Sequence, residues 1–229
     1  MSIIDSFPEP KINCPFEDVY APSDDTYLII DYFSECINET YFDGLDIKNI
    51  KNILDMGTGS GIIALFMREV KKKIVNFSPQ IFASDILENA IKCAKLNESS
   101  NNLEKNITFI HSDLFLKFPA NLKSSFNVII FNPPYLPSLK HNKNERVKKG
   151  IDNSWNGGEK GFEIFIEFIS QVNSFLDSNQ KFYIYYISSS AVNINKLIDQ
   201  VENYGFKNTV LKKKHIFFED IILNRLEKY

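Results

Sequence analysis

Tryptophan occurs once, and histidine and cysteine three times each, in a chain of 229 residues. The cysteines, Cys14, Cys36 and Cys93, form no C-x-x-C pair, which excludes a zinc knuckle or a thiol redox motif and leaves three reduced, partly buried thiols as the expectation. His111, His141 and His215 stand on separate segments, so neither a metal site nor a catalytic triad is expected. No apolar run reaches the roughly 18 residues that a membrane helix needs. The first twenty residues carry Pro8, Pro10, Pro15 and several acids in place of a basic start and an apolar stretch. No signal peptide is therefore expected, and the expected location is cytoplasmic. Positive charge is not in excess either. A formal net charge of -3 gives no chain-wide attraction to a phosphate backbone. The G-x-x-x-x-G-K-S/T loop is absent as well, which removes that route to ATP.

What is present is apolar and aromatic: 44% hydrophobic residues with 20 Phe and 10 Tyr, enough to build one sizeable core. A single domain over 1–229 is expected, with an irregular segment and helix at 1–45 and an α/β core at 46–229. Apolar residues at Tyr27, Ile30, Phe33 and Ile37 predict a helix over Asp24 to Asn38, capped by Ser23-Asp24. From residue 50 short apolar strands alternate with amphipathic helices, the pattern of a parallel sheet covered on both faces. Strands are expected at Ile50 to Asp55, Gln80 to Asp85, Asn106 to His111, Asn127 to Phe131 and Lys181 to Ile187. Helices are expected at Gly61 to Lys71, Leu87 to Ser99, Gly161 to Leu176 and Asn193 to Tyr204. Phe206 to Leu211 and Ile216 to Leu226, joined by a charged turn, suggest a terminal antiparallel hairpin. Lys71 to Lys73 and Lys212 to Lys214 are expected to end surface elements.

The first strand runs into Met56-Gly57-Thr58-Gly59-Ser60-Gly61 and then a helix, the form of a nucleotide-binding turn. Its G-x-G-x-G spacing with Asp55 at the strand end departs from the G-x-G-x-x-G that cradles a pyrophosphate, and so points to S-adenosylmethionine over a dinucleotide. Asp85 ends the next strand, where a carboxylate can accept both hydroxyls of a ribose, and Asp113 follows the third, within reach of an adenine amino group. Each acid alone could do no more than cap a helix. Three at successive strand ends, beside the glycine turn, favour a cofactor crevice.

Asn132-Pro133-Pro134-Tyr135 follows a strongly apolar strand, at the carboxyl edge where open α/β sheets bind ligands. Two prolines fix φ and make the turn stiff. An amide or aromatic amino nitrogen is a poor nucleophile, so a site that methylates it must hold both N–H groups and aim the lone pair. The Asn132 side-chain carbonyl can accept one hydrogen and the Pro133 carbonyl the other, while Tyr135 stacks on the flat group. The two carbonyl dipoles then favour the positive charge that develops on nitrogen.

With both motifs in hand, the chain resembles the HemK family of class I, S-adenosylmethionine-dependent methyltransferases. Val19-Tyr20-Ala21-Pro22-Ser23-Asp24-Asp25-Thr26-Tyr27-Leu28 resembles the V-Y-x-P-x-E-D-T-x-L segment of its eukaryotic and archaeal branch. Trp155-Asn156-Gly157-Gly158-Glu159-Lys160-Gly161 resembles that branch's W-x-G-G-x-x-G loop. Position 24 is Asp where Glu is usual, and Lys160 replaces a frequent Arg. The resemblance implies a Rossmann-like fold with a mostly parallel seven-stranded sheet, helices on both faces and a C-terminal antiparallel hairpin. It further implies that the large N-terminal recognition domain of the bacterial branch is absent. Thr26, Asp55, Gly57, Gly59, Gly61, Asp85, Asp113 and Leu114 would contact the cofactor, which leaves as S-adenosylhomocysteine. Asn132, Pro133 and Tyr135 would be catalytic, and with Pro134, Trp155, Gly157 and Gly158 would bind substrate. The implied substrate is the Gly-Gly-Gln glutamine of a class I translation release factor. An implied partner is a small zinc-binding activator that pairs with a sheet edge, for which the Asn106 to Ile110 strand is the candidate. A nucleobase amine is the alternative substrate, supported by Lys140, Lys143, Arg146, Lys148 and Lys149, which against Glu145 give 140–149 a local charge of +4. Protein lysine methylation and a non-enzymatic cofactor-binding module are further alternatives. The first suits an acceptor pair less well because an ammonium must lose a proton, and the second is opposed by the intact motifs.

Overall fold

The computed structural model describes residues 7–101, 105–137 and 157–229. Its elements run α1 (Asp24–Cys36), β1 (Tyr41–Phe42), β2 (Leu45–Asp46), β3 (Asn52–Met56), α2 (Ile62–Lys73), β4 (Gln80–Asp85), α3 (Glu88–Ser100), β5 (Ile107–His111), β6 (Val128–Phe131), α4 (Glu163–Val172), β7 (Tyr183–Ser189), α5 (Ile194–Asn203), β8 (Phe206–Ile216) and β9 (Glu219–Lys228). The main sheet has the order β5-β4-β3-β6-β7-β9-β8. Its first five strands are mutually parallel, and β9 lies antiparallel between β7 and β8. The chain winds outward from β3 to β5, then returns to lay β6 on the other side of β3. This reversal leaves a crevice beyond the carboxyl ends of β3 and β6.

Both faces of the sheet are covered, which explains why β6 reads as an unbroken apolar run. Val128 and Ile130 point into a core shared with α1 and α2, where Phe33, Phe66 and Tyr185 are buried. Ile129 and Phe131 point into a second core with α4 and α5, built on Phe165, Phe168 and Tyr186. Each such side chain contributes about 1.5–3 kcal/mol on burial. Pairing of Met56 with Phe131 sets the register, so the glycine turn after β3 stands beside Asn132 after β6.

Three local expectations are corrected. Ser23 occupies the N-cap of α1 but makes no capping bond through its side chain, which instead faces Tyr20. Asp24 is drawn away to Lys214 at 2.7 Å. Second, Lys212 to His215 do not form the charged turn; they lie in β8, where Lys212 and Lys214 pair with Glu35 and Asp24 of α1. The turn is Phe217-Phe218, with both rings in solvent. Third, the β1–β2 hairpin falls in a stretch for which the sequence pattern predicts no strand. Its Asp43-Gly44 turn has φ of 48° and 82°, the left-handed pair that tight hairpins require. The Asp43 carboxylate accepts hydrogen bonds from Tyr32, Tyr185 and Arg225 at 2.8–2.9 Å, pinning α1 and the hairpin to the sheet. Lys71 to Lys73 do end α2.

The fold also brings Cys14 and Cys93 together, with their sulfurs 3.5 Å apart. Burial pushes the Cys93 thiol up to about 12, which keeps it protonated. Among the described residues no helix is long and apolar enough to cross a membrane.

Candidate active site

The glycine turn carries positive φ at Gly57, Gly59 and Gly61. Gly61 is the tightest position: a Cβ there would lie 2.8 Å from the Ala94 Cβ, so only glycine lets α3 pack on the start of α2. At Gly57 a Cβ would approach the Phe131 ring to 3.2 Å, which joins the turn to the strand that carries Asn132.

The three strand-end acids have different surroundings. Asp55 is turned inward, 2% exposed, and accepts hydrogen bonds from Thr58 Oγ1 at 2.6 Å and Ala64 N at 3.2 Å. Burial pushes its pKa up to about 7, against the pull of those two donors. Asp85 accepts from Gly59 N and Leu87 N, both at 2.9 Å, and so ties the turn to the start of α3. Burial raises its pKa, and the same N–H groups oppose the rise. Asp113 is half-buried after β5. Next to it Leu114 holds φ 43° while 7% exposed, a left-handed leucine that costs of order 1–3 kcal/mol. Thr58 N donates to Ser84 O and Ser112 N to Asp85 O, so backbone bonds join these strand ends into one rim. Thr26 is buried at the first turn of α1. The carboxyl acceptors of this rim suit the ribose hydroxyls and the adenine amine of S-adenosylmethionine.

Across the crevice, Asn132 Nδ2 donates to Asp25 Oδ2 at 3.0 Å, and Tyr135 Oη donates to the same oxygen at 3.1 Å. Burial, then the charge of Asp25, raises the Tyr135 pKa, so its hydroxyl stays a neutral donor. Asn132 Oδ1, in contrast, is buried with no hydrogen-bond partner among the described residues. A buried unpaired acceptor costs about 1–3 kcal/mol, and that cost marks a position where a ligand donor belongs. Asn132, Pro133 and Tyr135 line a cleft of about 200 Å³ together with Tyr20 and Asp25. Its opposite wall is the β8–β9 turn, through Ile216, Phe217, Glu219 and Ile221.

Gly157 and Gly158 are also brought to this turn. A Cβ on Gly157 would lie 2.6 Å from the Pro134 carbonyl oxygen, and Gly157 N donates to Leu136 O at 2.9 Å. The pair therefore braces the Pro-Pro segment against the start of α4. Trp155 and the basic residues of 140–149 lie outside the described residues. His111 contacts Ile86 O and His215 pairs with Asp220, and no metal-binding group of three occurs among the described residues. Sequence reasoning missed Asp25 and the hairpin turn. Asp25 stands inside the V-Y-x-P segment, but its contact with Asn132 spans 107 positions. Phe217 carries no local sign of lying beside the cleft.

Comparison with known proteins agrees with this geometry. The model of the methyltransferase small domain matches residues 38–154. A Methanocaldococcus jannaschii protein provisionally named a protein N5-glutamine methyltransferase is 30% identical over 90% of both chains. The Schizosaccharomyces pombe eRF1 methyltransferase catalytic subunit is 25% identical over 87% of this chain and 85% of its own. In fold, the chain resembles the Mtq2–Trm112 complex of E. cuniculi, which methylates the eRF1 termination factor. The TM-score is 0.63 at 21% identity, with 93% of this chain and 99% of that one covered. A glycine turn, a rim of acids and an Asn-Pro-Pro-Tyr turn on one sheet edge, in a chain with these relatives, place it in the HemK family of methyltransferases, within the methyltransferase small domain.

Proposed function

We propose that the protein transfers a methyl group from S-adenosylmethionine to the side-chain amide nitrogen of a protein glutamine, in the Gly-Gly-Gln motif of a class I translation termination factor. The observation that carries this reading is the buried, unpartnered Oδ1 of Asn132, an acceptor set in a rigid turn beside a cofactor-type crevice. Names of the archaeal and fission yeast relatives support the substrate class.

When bound, the cofactor would supply an electrophilic methyl from its sulfonium and leave as the neutral thioether S-adenosylhomocysteine, the methyl–sulfur bond breaking with its electron pair on sulfur. Asp85, Asp113, Thr26 and Leu114, with the glycine turn ordered by Asp55, are the residues that would hold it. Asn132 Oδ1 and the Pro133 carbonyl accept the two amide hydrogens of the glutamine, which orients the nitrogen and excludes water from it. Tyr135 packs on the flat amide. As the new C–N bond draws on the nitrogen lone pair, both acceptors favour the charge appearing there, and one N–H proton then leaves to solvent. No strong base is required before attack.

The described residues act as one methyltransferase domain in this reading, working in the cytoplasm where translation ends. A small zinc-binding activator pairs with β5, which among the described residues borders only β4 and leaves its other edge open. Phe109 and Ile110 are half-buried on that strand, and an open apolar edge is a surface that proteins normally cover.

The test is transfer of labelled methyl by the purified chain, alone and with such an activator, to a termination factor carrying Gly-Gly-Gln or Gly-Gly-Ala. Label on the glutamine form alone supports the reading. Label on RNA or DNA, with none on either protein, moves the substrate to a nucleobase amine.

A further inference from the structure

We infer that Asp25 is the positioning residue of this site: it locks the Asn132 amide in the one orientation that turns an acceptor toward the substrate nitrogen. The inference deepens the reading above and rests on it. Asp25 is 3% exposed, yet its two oxygens collect hydrogen bonds from four residues. Oδ2 accepts from Asn132 Nδ2 at 3.0 Å and Tyr135 Oη at 3.1 Å. Oδ1 accepts from Thr26 N at 2.6 Å, Thr26 Oγ1 at 3.2 Å and Tyr20 Oη at 3.1 Å.

An amide side chain can turn over, exchanging its oxygen and nitrogen at little steric cost. An ionised carboxylate only accepts, so it discriminates between the two orientations. With Nδ2 toward Asp25 the contact is a charge-assisted hydrogen bond. Turned over, it would set Asn132 Oδ1 against Asp25 Oδ2, two acceptors at the same 3.0 Å, and would present a donor to a substrate N–H. Asp25 thus removes the unproductive orientation before substrate arrives. The same bond draws electron density through the amide toward Oδ1, making it a better acceptor as positive charge develops on the substrate nitrogen.

Asp25 also explains how distant segments meet in register. Its neighbours Tyr20 and Thr26 belong to the strap and helix that pass the glycine turn, where the Tyr20 carbonyl lies 3.5 Å from a Cβ at Gly59. One carboxylate therefore joins the strap, α1 and the Asn-Pro-Pro-Tyr turn. Asp25 acts on the reaction through Asn132 and Tyr135.

Three variants test the inference: Asp25→Asn, Asn132→Asp, and the two combined. In Asp25→Asn the amide oxygen stays with Thr26 and its NH2 faces position 132, which favours the turned-over Asn132, and kcat is expected to fall about 10²-fold, the scale of a misplaced reacting group. The KM for the protein substrate and the Kd for S-adenosylmethionine are expected to stay within about threefold, since the amide introduced at position 25 retains an oxygen for Thr26. In Asn132→Asp alone two carboxylates face each other, and kcat is expected to fall at least as far. In the combined variant the new amide at position 25 donates to the new carboxylate at position 132, whose other oxygen again faces the substrate as an acceptor. It is expected to recover about tenfold in kcat over Asp25→Asn. A readout free of activity is hydrogen exchange of the Asn132 side-chain amide by NMR, slowed in the parent and fast in Asp25→Asn. Parent-like kcat in Asp25→Asn, or a loss confined to cofactor binding or melting temperature that the combined variant does not recover, would overturn the inference. If the parent methylates no glutamine, the functional reading fails instead, and the exchange experiment still decides what Asp25 does to Asn132.

Discussion

Replacing Asn132 by alanine separates catalysis from folding, because the structure sets opposing terms on stability and a single large one on rate. The substitution removes the hydrogen bond from Nδ2 to Asp25, worth about 1.5–3 kcal/mol for a charged acceptor. It also removes Oδ1, whose unpaired burial costs about 1–3 kcal/mol in the parent. Tyr135 continues to donate to the same carboxylate oxygen. The two terms offset each other, so the net change in unfolding free energy is expected to lie within about 2 kcal/mol. In the transition state only loss remains. Removing one preorganised partner of the developing charge slows turnover about 10²–10³-fold, or roughly 3–4 kcal/mol of barrier. Urea unfolding, calorimetric titration with S-adenosylmethionine and single-turnover methyl transfer together read the three quantities. A stability loss beyond about 3 kcal/mol, accompanied by lost cofactor affinity, would refute the reasoning and make Asn132 a structural residue.

Gly61→Ala and Gly44→Ala both place alanine at positive φ, costing about 1–2 kcal/mol each. Only at Gly61 does the new methyl meet α3, which adds about 1–3 kcal/mol, so its urea midpoint is expected to fall clearly further. Equal losses would show that the α2–α3 contact is loose. Because the Asp55 pKa is raised to about 7 in the folded state, between about pH 4 and 7 the folded protein holds a proton that the unfolded chain has released. Its contribution to stability therefore declines as pH rises through that window. The stability of the parent relative to Asp55→Asn is expected to drop by roughly 2–3 kcal/mol from pH 5 to 8, and a flat difference in pH-dependent unfolding would contradict the shift. Phe217, at φ 51° and 88% exposed, gives its backbone strain no return in packing. Phe217→Gly is expected to change stability by less than about 1 kcal/mol while raising the KM for a protein substrate about tenfold, measured by steady-state transfer. An unchanged KM would remove the hairpin from substrate contact.

Much of this architecture was legible because it is written locally. The apolar run 128–131 and the helix after it report burial on both sheet faces, and the glycine turn and Asn-Pro-Pro-Tyr turn fall at strand ends by pattern alone. What could not be read depends on partners far away in sequence. Lys212 and Lys214 look like turn residues until α1 supplies Glu35 and Asp24, which allow β8 to continue to Ile216. Two-residue strands carry too little periodicity to announce the β1–β2 hairpin, although the Asp43-Gly44 pair was a usable turn signal. Within the site, the sequence pointed to Asn132 and its role as acceptor, but not to the carboxylate that orients it. Asp25 resembled an ordinary acid in the first turn of a helix.

The most direct test of the central claim is to locate the added methyl by fragmentation mass spectrometry on a termination factor treated with the protein, the proposed activator and S-adenosylmethionine. A single methyl on the side-chain amide of the Gly-Gly-Gln glutamine, absent when Asn132→Ala replaces the parent, is the expected result. A methyl on a lysine, or none on the protein while RNA or DNA becomes labelled, would contradict it.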